Sequence, residues 1–406
     1  MNLSAARRLD RWIGIPACAL LSLFHWLARF APRRRSDDLG SILLIQISEM
    51  GSVLLAYPML CEIRRRYSES RVSILIFAKN RDSLELLGRI APDNIILLDD
   101  RGVLGFLRSA LSAVVSMRRL GIDAVIDLEL FSRSSAILAA LSGARIRAGF
   151  HRHSMEGLYR GSFWTHPVLY NPYQHMSRNF ASLVEALQGD SNRPLVKSGF
   201  EEAKPILPSP PQDEARKARM ADVLAQACGR LGTESKIVLL NPSGGALPIR
   251  AWPLENYIEL SRRLLRLKEI ALGVIGLLED ARFYSRIAEG VDSARLFDLT
   301  GKTSHVLDLV ELFDLCDVLV TADGGPAHFA SVSSIHSVIF FGPETPALYE
   351  PLGGNHTCLY AGIACSPCLT AYNHRRTPCD GDNVCVQRFS PAQVEQIVLD
   401  KLGMTA

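Results

Sequence analysis

Short apolar runs recur along nearly the whole chain, each closed by a polar loop bearing Gly or Ser and followed by a longer segment with helical spacing. The first, 41–47 (SILLIQI), is apolar without alternation. A strand reads that way when both faces of its sheet are covered, as in a parallel sheet wrapped by helices. Runs at 72–77, 95–98 and 124–128 predict further strands, with one helix from the loop 48–52 to about residue 67 and another from 132 to about 141. The proline-rich stretch 202–212 interrupts this rhythm, as a linker does. A second series then predicts strands at 237–240, 271–275, 296–299, 318–321 and 338–341. Its helices fall at 256–267, 279–289 and 304–313, with a last one from about 391 to 402. Two βαβ series predict an α/β protein of two parallel-sheet domains, for which 406 residues are ample. The expected division is an apolar N-terminal segment 1–36, a first domain 37–201, a linker region 202–234, a second domain 235–361, and a Cys-rich loop with a C-terminal helix at 362–406. Ligands of such domains are expected outside the carboxyl ends of the strands, in a cleft between the two sheets.

Composition narrows the partners. Hydrophobic residues make up 48% and charged residues 21% of the chain, with a formal net charge of +3. That is a globular balance without the basic field a nucleic-acid binder needs. Cys18, Cys61, Cys228, Cys316 and Cys358 stand singly, mostly in apolar runs, as buried thiols of a reducing compartment do. The segment 12–31 (WIGIPACALLSLFHWLARFA) lies between Arg7, Arg8, Arg11 and Arg29, Arg33, Arg34, Arg35. It is about the length that crosses a bilayer, but Pro16, His25 and Arg29 interrupt it. The downstream arginines oppose translocation, which argues against a cleaved signal peptide. Membrane association is expected, spanning or lying in the interface, with the rest of the chain on the cytoplasmic side. A helix packed on the protein itself, or on a second subunit, is the competing reading.

The chemistry concentrates after the strand 317–321. There Ala322-Asp323-Gly324-Gly325 forms a turn, Pro326 suits the first helical position, and His328 follows in the first helical turn. Glycines let the backbone approach a ligand, and free N–H groups at a helix start attract an anion. An ordinary βα turn with a structural histidine would read the same way. Three companion loops, 240–245 (LNPSGG), 298–304 (DLTGKTS) and 341–346 (FGPETP), also leave predicted strands of the second domain. Together they make a binding face. No G-x-G-x-x-G follows a predicted strand, which disfavours a dinucleotide-dependent epimerase or dehydrogenase.

On these segments, with ILLIQISEMGSVLLAYPML, DAVIDLELFSRSSAILAALSGARIRAGF and the run from DLTGKTS through VTADGGPAHFASV, the chain resembles glycosyltransferase family 9, the bacterial heptosyltransferases of lipopolysaccharide core synthesis and their relatives. The segments occur in family order over roughly 41–354. The resemblance implies a GT-B fold of two Rossmann-like domains, with parallel sheets facing across a cleft, donor in the C-terminal domain and acceptor in the N-terminal one. It implies inverting transfer from a nucleotide-diphosphate sugar, often ADP-heptose, to a lipid-linked, lipopolysaccharide-type glycan, with no metal required for catalysis. It also implies a place on the cytoplasmic side of the bacterial inner membrane, peripheral or single-pass.

Carried over by residue, Asp323, Gly324, Gly325 and His328 match the donor-diphosphate turn, and Ser243 and Gly244 a phosphate-side loop. Arg250 falls where the family commonly has a lysine that neutralises the leaving diphosphate, and an arginine keeps that charge. Glu279 falls where an acidic residue can bind the ribose; a helix-start glutamate favoured by the dipole is its other reading. Inverting transfer needs a base for the acceptor hydroxyl. The family's usual Asp after the glycine of the first loop is replaced here, since Gly51 is followed by Ser52. Glu49 is the carboxylate of the same loop and the expected base; another carboxylate, or a weakly active or binding-only homologue, remains the alternative. Gly51, Ser52 and Arg133 are expected on the acceptor side, Arg133 against an acidic acceptor. Near the C-terminus, Cys365 and Cys368 have knuckle spacing, and Cys379 and Cys385 follow. A structural zinc or paired thiols, rather than catalysis, is expected there.

Overall fold

The apolar runs become parallel strands that sort into two sheets in a computed structural model of the chain. It describes residues 8, 10–28, 39–47, 50–151, 159–189, 193, 195, 207–229, 235–370, 373, 375–377 and 379–404. Two compact units result, one of residues 1–203 with 371–374, the other of 204–370 with 375–406. The linker expectation at 202–206 lies outside the described residues.

In the first unit the strands are β1 (Ser41–Ile45), β2 (Arg71–Phe77), β3 (Ile95–Leu98), β4 (Ala124–Asp127), β5 (Ile146–His151) and β6 (His166–Leu169), ordered β3-β2-β1-β4-β5-β6. The second unit holds β7 (Lys236–Asn241), β8 (Ile270–Val274), β9 (Leu296–Asp298), β10 (Val318–Ala322), β11 (His336–Phe341) and β12 (His356–Tyr360), ordered β12-β11-β10-β7-β8-β9. All pairings are parallel. Read from the opposite edge, the second order repeats the first. In each sheet the chain reverses direction of growth between the first and fourth strands, β1/β4 and β7/β10. Such a switch point leaves a crevice at the carboxyl ends of the two strands, because their following helices depart to opposite faces.

The helices are α1 (Gly14–Ala28), α2 (Met50–Leu55), α3 (Tyr57–Arg66), α4 (Val103–Leu120), α5 (Arg133–Leu141) and α6 (Met176–Glu185) in the first unit. The second has α7 (Glu214–Cys228), α8 (Leu254–Leu264), α9 (Ala281–Gly290), α10 (Val306–Asp314), α11 (Gly325–Ala330) and α12 (Pro391–Leu402). Burial explains the strand pattern: every residue of β1, β4, β8 and β10 is buried. In the second unit Trp252 stacks on Phe340 with centroids 4.6 Å apart, inside a cluster with Tyr257, Val320 and Val394. Six elements escape the sequence pattern, β6 and α6 among them. Helix α4 lacks a polar stripe, α7 lies in the stretch assigned to the linker, and β5 is interrupted by Arg147, whose buried guanidinium donates to Phe163 O at 3.0 Å. The residues of β12 are only half-buried.

The N-terminal helix is docked on its own unit. Its inward stripe is Gly14, Cys18, Leu21, Ser22 and His25. A Cβ on Gly14 would lie 2.8 Å from Arg133 Cβ, so only glycine allows this approach. Ser22 Oγ accepts from Ser162 N at 2.7 Å, and Arg147 Nη2 lies 3.0 Å from His25 Nδ1. Among the described residues no helix is long and apolar enough to cross a membrane.

Candidate active site

Apart from Glu279, the residues singled out for the donor collect at the switch point of the second sheet. Strand β10 runs straight into Asp323, whose N–H still donates to Phe340 O of β11 at 3.0 Å. Gly324 caps α11, so Pro326 is the second helical residue rather than the first. A Cβ on Gly324 would meet no protein atom within 3.9 Å, and the space over this peptide is therefore open to a ligand. His328 is buried in the same short helix.

Beside this turn, the loop after β7 is folded tightly on itself. Ser243 Oγ accepts from Gly245 N at 3.2 Å and Gly244 O from Leu247 N at 3.2 Å. A Cβ on Gly244 would sit 2.8 Å from Leu247 O and 2.9 Å from Pro248 Cα. This backbone contact cannot relax by a rotamer change, so the position requires glycine. The fold-back delivers Arg250, and Trp252 anchors the chain in the core two residues later.

Arg250 ties three loops together. Its Nη1 donates to Asp323 O at 3.3 Å, its Nε lies 3.7 Å from Asp323 Oδ2, and its Nη2 donates to Glu344 Oε2. Glu344 follows β11 and is buried. Its Oε1 lies 3.1 Å from Arg375 Nε, and Arg375 covers the Tyr349 ring at 5.3 Å. Burial pushes the Glu344 carboxyl up to about 8, the neighbouring Asp323 carboxyl works in the same direction, and Arg250 opposes both. Burial also opposes the Arg250 charge, but Asp323 and Glu344 outweigh it and hold the guanidinium above its ordinary value. With Glu344 protonated, two guanidiniums face one remaining carboxylate, and the cluster suits an anion. Arg250 is thus a buried bridge as well as a cation.

Glu279 is exposed after β8, next to Leu277 and Leu278, which are 68% and 78% exposed. Two bare leucines and a carboxylate at a strand end fit the apolar face and hydroxyls of a nucleoside.

Comparison with known proteins decides the family. The profile of "Glycosyltransferase family 9 (heptosyltransferase)" matches residues 111–376. The chain belongs to glycosyltransferase family 9. It is similar to lipopolysaccharide heptosyltransferase 3 of Escherichia coli (strain K12), 20% identical over 77% of this chain and 85% of that protein. It also resembles lipooligosaccharide heptosyltransferase 2 of Campylobacter jejuni, 25% identical over 33% of this chain and 43% of that protein. Among solved structures it shares its fold with the E. coli ADP-heptose lipopolysaccharide heptosyltransferase II, with a TM-score of 0.67, 18% identity, and 89% and 98% of the two chains covered. A family 9 transferase of Veillonella parvula DSM 2008 gives 0.69 and 19%, covering 91% and 98%. The fold is therefore GT-B, and the protein is a glycosyltransferase.

In the transferase's first sheet, the loop after β1 meets the end of β4. Glu49 and Ser48 lie outside the described residues. Gly51 and Ser52 open helix α2 rather than a loop. Two carboxylates that the sequence reading passed over stand at the end of β4. Glu129 Oε1 accepts from Ile47 N at 2.8 Å and so fixes the backbone where the β1 loop begins. Asp127 is fully buried against Arg160 and Ser135 Oγ; burial pushes it up to about 6, with Arg160 opposing. Their signal in the sequence is faint, two acids closing an apolar run.

Arg133, expected on the acceptor side, is engaged within its own unit. It is buried, its Nη1 pairs with Asp10 Oδ2 at 3.0 Å, and its Nε donates to Tyr159 O at 2.8 Å. It holds the N-terminal helix.

Among the described residues, no three of the four C-terminal cysteines bring their Sγ atoms within 4.8 Å of one another. As placed, they do not form the tetrahedral thiolate set of a zinc knuckle. The donor atoms of Glu350, His356 and Cys358 do gather, with His356 Nε2 2.8 Å from Glu350 Oε1. The cysteine loop instead braces the Glu344 loop: Cys368 N and Leu369 N donate to Pro343 O at 2.9 and 2.8 Å, and Ser366 Oγ to Gly342 O.

Proposed function

We propose that this transferase moves a heptose, with inversion, from an ADP-heptose-type donor to a lipopolysaccharide-type acceptor on the cytoplasmic face of a bacterial inner membrane. The observation that carries the reading is the Arg250 bridge between the Asp323 turn and Glu344, beneath the open backbone at Gly324. It offers a diphosphate two positive side chains against one carboxylate, next to exposed peptide N–H groups. The relatives' names supply the sugar and the acceptor class.

In this reading Gly324, Gly325 and His328 contact the diphosphate, with Ser243 and Gly244 on its other side. Asp323 orients Arg250 from within the turn. Arg250 and Arg375 stabilise the charge that grows on the leaving diphosphate as its bond to the anomeric carbon breaks. Glu279 takes the ribose hydroxyls. On the acceptor side a carboxylate of the β1 loop, Glu49, takes the proton of the attacking hydroxyl, and Gly51 and Ser52 border the acceptor. Glu129 positions that loop through Ile47. Catalysis requires no metal in this mechanism, because arginine supplies the charge compensation. The acceptor is lipid-linked, and the outward residues of α1, with Phe24 58% exposed, suit the interface of a bilayer rather than its interior.

Nucleoside-diphosphate release from a panel of nucleotide sugars, with and without a lipid-core acceptor, tests the assignment. ADP release from ADP-heptose that depends on acceptor is expected; retained nucleotide binding without release from any donor rejects it. Glu49→Gln is expected to lower kcat by about 100-fold or more with donor affinity nearly intact, and an unchanged rate removes Glu49 as the base.

A further inference from the structure

Helix α4 is built the wrong way round for a helix that faces water. Its inward stripe, Phe106, Ala110, Ala113 and Met117, joins the core cluster of the first unit. Its outward stripe is Leu104, Leu107, Leu111 and Val115, with Leu104 and Leu111 73% and 70% exposed. A surface helix normally turns Lys and Glu to solvent there. Singly exposed leucines need no explanation, but four at helical spacing make a contiguous apolar strip. The charged residues of α4 are Arg108, Arg118 and Arg119, all exposed, and it has no acidic residue.

Helix α1 has the same inversion. It is docked through the small and polar stripe of Gly14, Cys18, Ser22 and His25, which leaves Leu20, Leu23, Phe24 and Leu27 exposed. Both helices pack beside α5 and into one core cluster on the same side of the first sheet. Their outward strips therefore face away from that sheet together. No acidic residue lies within α1, and Asp10 just before it is engaged by Arg133.

We propose that α1 and α4 together form a two-helix face that binds an anionic lipid bilayer, with the α4 leucine row entering the boundary between headgroups and acyl chains. The inference rests on reading α1 as an interfacial helix and adds α4 as a second, independent contact. Charge chooses the occupant. The α4 leucines share their helix with exposed arginines and no acid, and the two carboxylates just before it, Asp99 and Asp100, are paired with Arg101 and Lys79; this matches an anionic lipid surface. A two-fold contact of this face with its own copy would bring basic rims together, with Asp99 and Asp100 already paired with Arg101 and Lys79.

The full chain is tested by flotation with phosphatidylcholine vesicles with and without phosphatidylglycerol. Leu104→Ser/Leu107→Ser/Leu111→Ser is compared with Leu20→Ser/Leu23→Ser/Leu27→Ser, each checked by thermal unfolding. All six side chains are exposed, so both variants are expected to fold. Wild type is expected to float with the anionic vesicles, less so at high salt, and the α4 variant to partition at least about tenfold more weakly. Wild-type-like partitioning of the α4 variant overturns the inference; if the α1 variant alone loses binding, the reading of α1 stands without it. No partitioning of the wild type rejects both. A wild-type dimer that the α4 variant converts to monomer, with partitioning unaltered, assigns the α4 row to a second copy and overturns the proposal.

Discussion

Arg375 Nε lies 3.1 Å from Glu344 Oε1, so a loop from the Cys-rich C-terminal region completes the charge cluster beneath the Asp323 turn. Glu344 is left with Arg250 alone if that contact is removed. Arg375→Met is expected to lower stability by about 1–2 kcal/mol, the scale of one contact between a charged group and a buried acid. Urea denaturation measures this. Nucleoside-diphosphate affinity, read by calorimetry, is expected to fall as well.

Glu344 gives the site a pH dependence with a definite sign. Its folded pKa is raised from 4.5 to about 8, first by burial, so the native state holds the proton more tightly than the unfolded chain. The associated stability is fully present below the unfolded value and is lost as pH rises through about 8. Ionisation also adds a negative charge beside the proposed diphosphate site. Donor-diphosphate affinity is therefore expected to decline across the same rise, and Glu344→Gln to flatten both profiles. Thermal melts and calorimetric titrations against pH report the two effects.

Arg250→Lys keeps the charge but cannot reach Asp323 O and Glu344 together. Loss of one charge-assisted contact of about 2 kcal/mol predicts a fall of about 30-fold in kcat/KM. Steady-state kinetics with a fixed acceptor decides this, and a rate within about twofold of wild type contradicts the bridging role.

Gly244→Ala forces a methyl against Leu247 O at 2.8 Å. A backbone clash of this kind costs about 1–3 kcal/mol, and it moves the loop that carries Ser243 and Arg250. Weaker nucleotide binding with retained secondary structure is expected, measured by calorimetry and circular dichroism.

Asp10→Asn removes the ionic partner of Arg133, which is buried in the α1 dock. The rest of the first unit keeps its own core, so limited proteolysis is expected to cut near α1 sooner while the remaining fragment stays folded. An unchanged cleavage pattern would show that Ser22 and His25 hold the helix without the ion pair.

Sequence pattern carried the strands well where burial is complete. Runs such as 318–321 and 338–341 have few conformations other than a covered strand, and β10 and β11 contain them. Turn chemistry and family motifs marked Asp323, Ser243 and Arg250 as site candidates, and the structure brings Arg250 against Asp323. Sequence pattern did not mark Glu344 or Arg375 as partners. The first sat unnoticed within FGPETP, and the second lies beyond the cysteines, paired by a chain path that local spacing does not encode. Glu129 was missed because an acid at a strand end looks like an ordinary solvated residue until Ile47 N–H is seen to donate to it. Arg133 matched a motif, yet its guanidinium is engaged by Asp10, a partner far away in sequence. The N-terminal segment had enough apolar residues to suggest a membrane span, and only docking showed which stripe turns inward.

The sequence alone determined two parallel-sheet domains, the glycine-bearing turn after β10 and the family, because continuous apolar runs and glycine-bearing turns restrict the backbone locally. The tertiary structure decided which charges meet, which cysteines stay apart and which faces of α1 and α4 remain bare. Those depend on long-range packing, where the low-dielectric interior makes a contact of a few ångströms between distant residues strong enough to set their chemistry.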